Sequence, residues 1–211
     1  MKRFFFLFAL LFAATAAAHA DRVLDTSKPS TDITEVVMEI GVGDVEVVAD
    51  DSVTISAHVE IERKSGSFWG SHSSQREIEA LEIDTRVEGH TMTLRLRPES
   101  RHNKHYSENW TVRLPANCAV KIKQGVGNVV VRDVAGALDI ELGVGDIEID
   151  GLYASFGRIS AECGVGDVTV RTPEKRERGE GFVGHEVRTK GAGSAALNAE
   201  AGVGDVTIRL R

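Results

Sequence analysis

The sequence predicts an all-β protein, a single-domain parallel β-solenoid with coils of about 19 residues, on three observations. A pentapeptide, Gly-Val-Gly-Asp-Val or a near variant, occurs five times and starts at Gly41, Gly125, Gly143, Gly164 and Gly202. Apolar residues alternate with polar ones on both sides of each copy, which is the period of a β-strand. The parity of this alternation changes within the pentapeptide, and a straight strand cannot change parity, so each copy must contain a corner or a bulge.

Residues 1–20 are typical of a secretory signal peptide. Met1-Lys2-Arg3 is basic, residues 4–18 form an apolar run, and Ala18-His19-Ala20 fits the small-residue cleavage pattern. The apolar run is short for a membrane span. We therefore expect cleavage after Ala20, a domain formed by residues 21–211, and a periplasmic or secreted location without membrane insertion.

Short strands are predicted between the first and second copies. Alternating apolar residues predict strands over residues 53–61, 81–87, 92–96 and 110–114. Three polar insertions, residues 62–79, 98–109 and 172–193, are expected to be long loops. Because composition does not change sharply along the chain, one continuous domain is expected.

Alignment of the copies on their first glycine predicts which side chains are buried. Columns at five, three and one residues before this glycine, and at four and six residues after it, are mostly apolar. The valines directly after it continue the odd-numbered set and are also expected to face inward; they are Val42, Val126, Val144, Val165 and Val203. The second glycine suits a positive φ, and the Asp or Asn that follows can bond to the local backbone.

The copies are predicted to stack in parallel. From Gly125 onward their first glycines are 18, 21 and 38 residues apart, and 38 is two periods of 19. Units that share columns stack most simply as coils of a solenoid. The alternative is an antiparallel meander or sandwich, in which Gly-Val-Gly is a hairpin turn between the two arms of one repeat.

A family resemblance adds to this interpretation. The leader, the alternating strands, the pentapeptide and Gly-Glu-Gly-Phe-Val-Gly-His at 179–185 resemble bacterial β-strand-repeat proteins of unknown function that are labelled putative adhesins. The similarity covers most of residues 36–211. The resemblance implies a β-helical solenoid and supplies no catalytic residue.

The aspartate column is the first candidate site. Asp44, Asp146, Asp167 and Asp205 share one position, which Asn128 occupies in the second copy. Stacked coils would place these residues about 4.8 Å apart. Repulsion between carboxylates, about 1 kcal/mol per pair in bulk water, could be relieved by Ca²⁺. Asn128 fits a turn better than a metal site, so the column is interpreted as turn chemistry, and no metal or cofactor is assigned.

Other candidate residues are aromatic, histidine and cysteine side chains. Phe68-Trp69, among glycines and serines, is a candidate glycan contact, whereas Trp110 alternates with apolar residues and is expected in the core. Tyr106 with Trp110 is a weaker stacking platform, and His102 and His105 are interpreted as solvated loop residues. Cys118 and Cys163 would be about 20 Å apart by strand rise, beyond the reach of a disulfide. Two unpaired thiols are therefore expected, with that of Cys163 facing inward.

The net charge and the missing motifs argue against several classes of function. The formal net charge of −7 makes the chain a poor candidate for binding nucleic acid or anionic lipid through bulk charge. Common hydrolase, zinc-protease and phosphate-loop motifs are missing from the sequence. We therefore expect an exported, non-enzymatic β-repeat protein of the cell envelope with a structural or adhesive role and an envelope protein or glycan as partner. The alternative is a calcium- or glycan-binding module that uses the aspartate column or Phe68-Trp69.

Overall fold

The computed structural model describes residues 21–63, 76–98, 106–179 and 184–211. Most of these residues are in β-strands, and residues 76–79 form a short helical segment. The strands of the described ranges are β1 (Arg22–Pro29), β2 (Glu35–Val42), β3 (Val45–Asp50), β4 (Thr54–Arg63), β5 (Glu82–Glu88), β6 (Thr91–Arg97), β7 (Tyr106–Pro115), β8 (Ala119–Val126), β9 (Val129–Arg132), β10 (Leu138–Val144), β11 (Ile147–Gly151), β12 (Phe156–Val165), β13 (Val168–Arg171), β14 (Arg176–Arg178), β15 (His185–Lys190), β16 (Ala195–Val203) and β17 (Val206–Leu210).

The strands form two sheets. The nine-stranded sheet has the order β1-β4-β7-β3-β9-β11-β17-β13-β14, and the eight-stranded sheet has the order β15-β12-β16-β10-β8-β2-β6-β5. Pairing is parallel in the middle of each sheet and antiparallel at the ends, as in the β4–β7, β5–β6, β12–β15 and β13–β14 pairs. Buried residues of both sheets belong to one hydrophobic core.

Each pentapeptide copy crosses from one sheet to the other. Its first arm lies in the eight-stranded sheet and its second arm in the nine-stranded sheet, and equivalent positions of neighbouring copies pair in register, as Leu138 does with Val120 and Leu197. The stacking order does not follow the sequence, because the fifth copy (β16 and β17) lies between the third and the fourth in both sheets. The expectation that the 38-residue spacing is a doubled coil is therefore wrong.

The fold is all-β, as predicted, but it consists of two mixed sheets and is not a closed solenoid, so the sandwich alternative fits. Two segments account for the difference. The N-terminal strands β5 and β6 are joined by a tight hairpin at Gly89-His90 and pair antiparallel. Residues 172–193, predicted as a loop, contribute the antiparallel edge strands β14 and β15.

The predicted apolar columns form the core. All five copies bury the columns at five, three and one residues before the first glycine, and those at four and six residues after it. The alternation predicts buried side chains at Val53 and Val87, but these valines are 77% and 49% exposed. Strand β1, which pairs antiparallel with β4, was not predicted because its residues 22–29 are mostly polar or charged.

Candidate functional site

The corners are made by the second glycine of each copy. These glycines have φ between 128° and 141°, a conformation that L side chains rarely adopt; they are Gly43, Gly127, Gly145, Gly166 and Gly204. A Cβ on Gly127 would lie 1.8 Å from the carbonyl oxygen of Gly43 in the neighbouring copy. The predicted positive φ is confirmed, and close stacking of the corners is a second reason for glycine.

In the second to fifth copies the first glycine is required by stacking alone. A Cβ on Gly143 would lie 2.5 Å from the carbonyl oxygen of Gly125, and one on Gly202 would lie 2.6 Å from that of Gly143, although neither glycine has a positive φ. The sequence suggested only conformational freedom as the reason for glycine. The in-register contact between copies could not be inferred without the stacking order.

The aspartate column forms a ladder of hydrogen bonds that joins one copy to the next. The backbone N–H of Asn128 donates to Asp44 Oδ1 at 2.8 Å, that of Asp146 to Asn128 Oδ1 at 3.2 Å, that of Asp205 to Asp146 Oδ1 at 2.8 Å, and that of Asp167 to Asp205 Oδ1 at 2.8 Å. Asn109 of β7 extends the ladder by accepting from the N–H of Asp44 at 3.1 Å. The side chains therefore bond to the adjacent copy and not to their own turn.

This ladder supports the structural interpretation of the column. An amide oxygen accepts a hydrogen bond as a carboxylate oxygen does, which explains why Asn128 fits in the series. Among the residues that the structure describes, no group of three or more His, Cys, Asp or Glu side chains is arranged to hold a metal ion. The contacts of the column thus contain no cation-binding geometry.

The valines beside the first glycines are exposed, which contradicts the expectation that they face inward. The exposed fractions of Val126, Val144, Val165 and Val203 are 45%, 47%, 52% and 47%, and Val42 is half-buried. The corner backbone itself closes the core at this point, so these side chains lie outside it. They pair in register through neighbouring strands, and we call the five valines together the corner ridge.

Acidic residues line both sides of the corner ridge. Two positions after each valine come the carboxylates of the ladder, Asp44, Asp146, Asp205 and Asp167. Three positions before it stand Glu39, Lys123, Glu141, Glu200 and Glu162. Lys123 is the one base in these two columns, and its Nζ lies 2.9 Å from Glu141 Oε2. The ridge is therefore an apolar stripe in a strongly negative setting.

A shallow groove lies beside the corner ridge, at the first glycines of three copies. It has a volume of about 430 Å³, and its lining includes Gly125, Gly143 and Gly202 with the side chains of Lys123, Glu141 and Glu200. The glycines lack side chains because the copies stack closely there, so the groove is a direct consequence of the stacking. Its size, and a lining in which two carboxylates stand against one ammonium group, suit a narrow chain that carries positive charge.

Glu108 ends the stack of corners and was missed by the sequence interpretation. Its side chain is fully buried in β7, where Oε1 accepts from the N–H of Gly41 at 2.8 Å and Oε2 from the indole N–H of Trp110 at 3.3 Å. The alternation with Trp110 could have placed Glu108 on the inward face. Burial, with the negative charges of Glu108 and Glu77, raises the pKa of Tyr106 to about 12.

The other predicted residues lie apart from the corner ridge. Trp110 is buried, as predicted, and Tyr106 is only 1% exposed, so the stacking platform of these two rings is wrong. Phe68-Trp69, His102 and His105, together with the predicted signal peptide, lie outside the described residues. Two arginines that stand seven residues after a first glycine, Arg132 and Arg209, make ion pairs with Glu46 and Glu148.

Both thiols are free and that of Cys163 is buried, as predicted; Cys118 is buried as well. The fifth copy separates the third from the fourth, so Cys118 and Cys163 belong to copies that are three strands apart. Burial raises the pKa of Cys118 to about 11 and also raises that of Cys163, against the effect of a hydrogen bond from the His185 backbone. Neither thiol has the lowered pKa of a reactive cysteine.

Within the described ranges, no helix is long and apolar enough to cross a bilayer. No family model matches the sequence, and no curated protein matches it. Among solved structures, the chain is similar to a putative cell adhesion protein from Clostridium sporogenes, with 17% identity, coverage of 90% of this chain and 100% of that chain, and a TM-score of 0.46.

Two further solved structures are more distant. A putative adhesin from Bacteroides fragilis has 11% identity, covers 89% of this chain and 97% of its own, and has a TM-score of 0.29. A putative lipid binding protein from Parabacteroides distasonis has 10% identity, covers 88% and 96%, and has a TM-score of 0.26. Two of these three names agree with the label of the family that the sequence resembles. Identities this low do not transfer a function, which has to be argued from this chain's own residues.

Proposed function

We propose that this protein is an exported, non-enzymatic β-repeat protein of the bacterial cell envelope, with a structural or adhesive role, and that the corner ridge is its contact surface. The observation that carries the proposal is the in-register row of exposed valines between two acidic columns. In this proposal the stacked copies serve as a short array that resembles a solenoid, and antiparallel strands cover its two ends. Single exposed apolar residues are ordinary, but a contiguous apolar stripe with a polar rim is typical of an interaction site.

The charge of the ridge defines the partner that it suits. A second copy of this chain would bring carboxylate rows against carboxylate rows, and like charges across an interface are unfavourable. A segment with apolar residues flanked by Lys or Arg would instead pair with Asp146 and Asp205 on one side and with Glu141 and Glu200 on the other. We therefore propose a basic, partly apolar segment of an envelope protein as the partner, which makes binding weaker at high salt.

The test compares how tightly the exported wild-type protein and a variant that lacks the corner ridge bind to isolated cell envelopes. Replacement of Val126, Val144 and Val203 together by Thr keeps a β-branched side chain and removes the apolar stripe. The matched control replaces Val53 and Val87 by Thr, because these valines are at least as exposed as those of the ridge but lie off it. We expect at least tenfold weaker binding for the ridge variant, unchanged binding for the control, and similar melting temperatures for both.

Two results would overturn the proposal. Equal binding by the ridge variant and by the wild type would show that the valines make no contact. Full-length protein that stays in the cytoplasm when it is produced with residues 1–20 would remove the envelope role, whatever the valines bind.

A further inference from the structure

A second depression lies on the outer face of the eight-stranded sheet, far along the strands from the corners. Its volume is about 500 Å³, and the side chains that face it are those of Arg158 and Ser160 on β12, Arg188 and Lys190 on β15, and Asn198 on β16. Three cations and two uncharged hydrogen-bonding groups thus meet in one place. This is unusual on a chain whose formal net charge is −7.

Two of the three cations face each other instead of a carboxylate. Arg158 lies directly opposite Lys190 in the antiparallel pair of β12 and β15, and Arg188 lies opposite Ser160. In the part of the chain that the structure describes, Arg158 and Lys190 make no ion pair, whereas Arg188 pairs with Glu186. Like charges directly opposite each other destabilise a sheet. This arrangement therefore has a cost that nothing within the depression offsets.

Outward cations elsewhere on the same sheet are arranged differently. Lys121 makes an ion pair with Asp139 of the adjacent strand, and Arg95 makes one with Asp84 at 3.1 Å. The alternation of signs across strands is thus available to this sheet and is used at these positions.

Protection of a sheet edge does not explain the pair. Charged side chains on an edge strand discourage edge-to-edge association, and β15 is the edge of this sheet. Arg158, however, lies on β12, which has a neighbour on each side. A carboxylate at that position would leave the charge of Lys190 on the edge and would remove the repulsion.

We propose that this depression binds a sugar that carries a phosphate or sulfate ester. Cross-strand neighbours have Cα atoms about 5 Å apart, so the head groups of Arg158 and Lys190 can reach one compact anion, and Arg188 can reach it from the next position. Arginine matches the tetrahedral oxyanion through paired N–H donors. Ser160 and Asn198 lie beside the cations and supply the donors and acceptors that sugar hydroxyl groups need.

Calorimetric titration of the exported protein with glucose 6-phosphate, inorganic phosphate and glucose tests the proposal. Arg158→Gln removes one cation of the site, and Arg176→Gln is the matched control. Arg176 also lies opposite another arginine, Arg171, but on the nine-stranded sheet and away from the depression. We expect glucose 6-phosphate to bind wild type more tightly than inorganic phosphate does, glucose not to bind, and Arg158→Gln to weaken binding about tenfold or more.

Stability without ligand gives an independent readout. Because Arg158→Gln removes like-charge repulsion, its melting temperature should equal or exceed that of wild type. Glucose 6-phosphate should raise the melting temperatures of wild type and of Arg176→Gln by similar amounts, and that of Arg158→Gln by much less. Absence of binding by wild type, or equal loss in Arg176→Gln, would overturn the proposal. Equal affinity for inorganic phosphate, or retention on phosphatidylglycerol vesicles without affinity for the sugar phosphate, would overturn the assignment to a sugar ester. None of these outcomes depends on the corner ridge.

Discussion

Replacing three glycines by alanine, one at a time, distinguishes the two reasons for glycine in the pentapeptide, a positive φ and close stacking of the copies. Gly89 has φ +60° but open space around it, Gly143 has no positive φ but would place a Cβ 2.5 Å from a backbone oxygen, and Gly127 combines φ +128° with a contact of 1.8 Å. The three substitutions are chemically identical. Any difference among them therefore reports local backbone conformation and stacking.

The expected costs follow from these geometries. Left-handed backbone costs an L-residue about 1–2 kcal/mol, and loss of glycine's freedom in the unfolded chain returns about 0.4–1 kcal/mol, so Gly89→Ala should cost about 1 kcal/mol or less. Gly143→Ala forces the stacked backbone apart and should cost about 1–3 kcal/mol, as overpacking does. Gly127→Ala meets both penalties, and its contact involves rigid backbone, so it should exceed about 4 kcal/mol.

Urea unfolding followed by far-ultraviolet circular dichroism measures these differences as shifts in the transition midpoint. A loss of 4 kcal/mol corresponds to a fall of about 8–16 °C in the melting temperature of a domain of this size. If Gly127→Ala proved no more destabilising than Gly89→Ala, close stacking of the corners would not be the reason for glycine, and the register between copies would have to be reconsidered.

Three further outcomes are expected. Asp146→Ala should lower the free energy of unfolding by about 1–3 kcal/mol, because it leaves the N–H of Asp205 without its acceptor, whereas Asp146→Asn should lower it much less. Millimolar calcium should leave the melting temperature of wild type unchanged, and a rise in that temperature with calcium would restore the metal alternative. A hydrogen bond to Asp25 raises the pKa of His58 above its ordinary 6.5. This contact between β1 and β4 therefore stabilises the fold below pH 6.5, and the stabilisation is lost as the pH rises through the raised pKa. Amide exchange in β1 should accelerate over that pH range, and His58→Gln should abolish the pH dependence. Cys118 and Cys163 should react with Ellman's reagent only after unfolding, and rapid labelling of native protein would contradict their burial.

The strand arms and their buried columns could be predicted because each copy carries the same period-two pattern. The stacking order could not, since identical columns make every copy an equally suitable neighbour for every other. The fifth copy (β16 and β17) lies between the third and the fourth, and the other side of the fourth copy is covered by the antiparallel edge strands β14 and β15. Those strands are short and charged, so a local pattern gives little sign of them.

The candidate sites were predicted less well than the fold. The aspartates were recognised as a column, but their hydrogen bonds run between copies, and this requires the register of neighbouring strands. The corner valines were expected to face inward because the odd-numbered alternation was continued past the first glycine, where the backbone itself closes the core. Arg158 and Lys190 are 32 residues apart in sequence, and only the pairing of β12 with β15 brings them together.

The choice of valine at the corners is the strongest reason to regard the ridge as a contact surface. A positive φ requires the second glycine of each copy, and close stacking requires the first glycine in four of the copies. The ladder requires Asp or Asn at a third position, but nothing in the stack requires an apolar side chain between the two glycines. Threonine has the same branching and a similar preference for strands. It would also avoid exposing about half of an apolar side chain to water in four copies. Stability alone therefore leaves five valines unexplained, whereas a partner that buries them accounts for both their identity and their alignment.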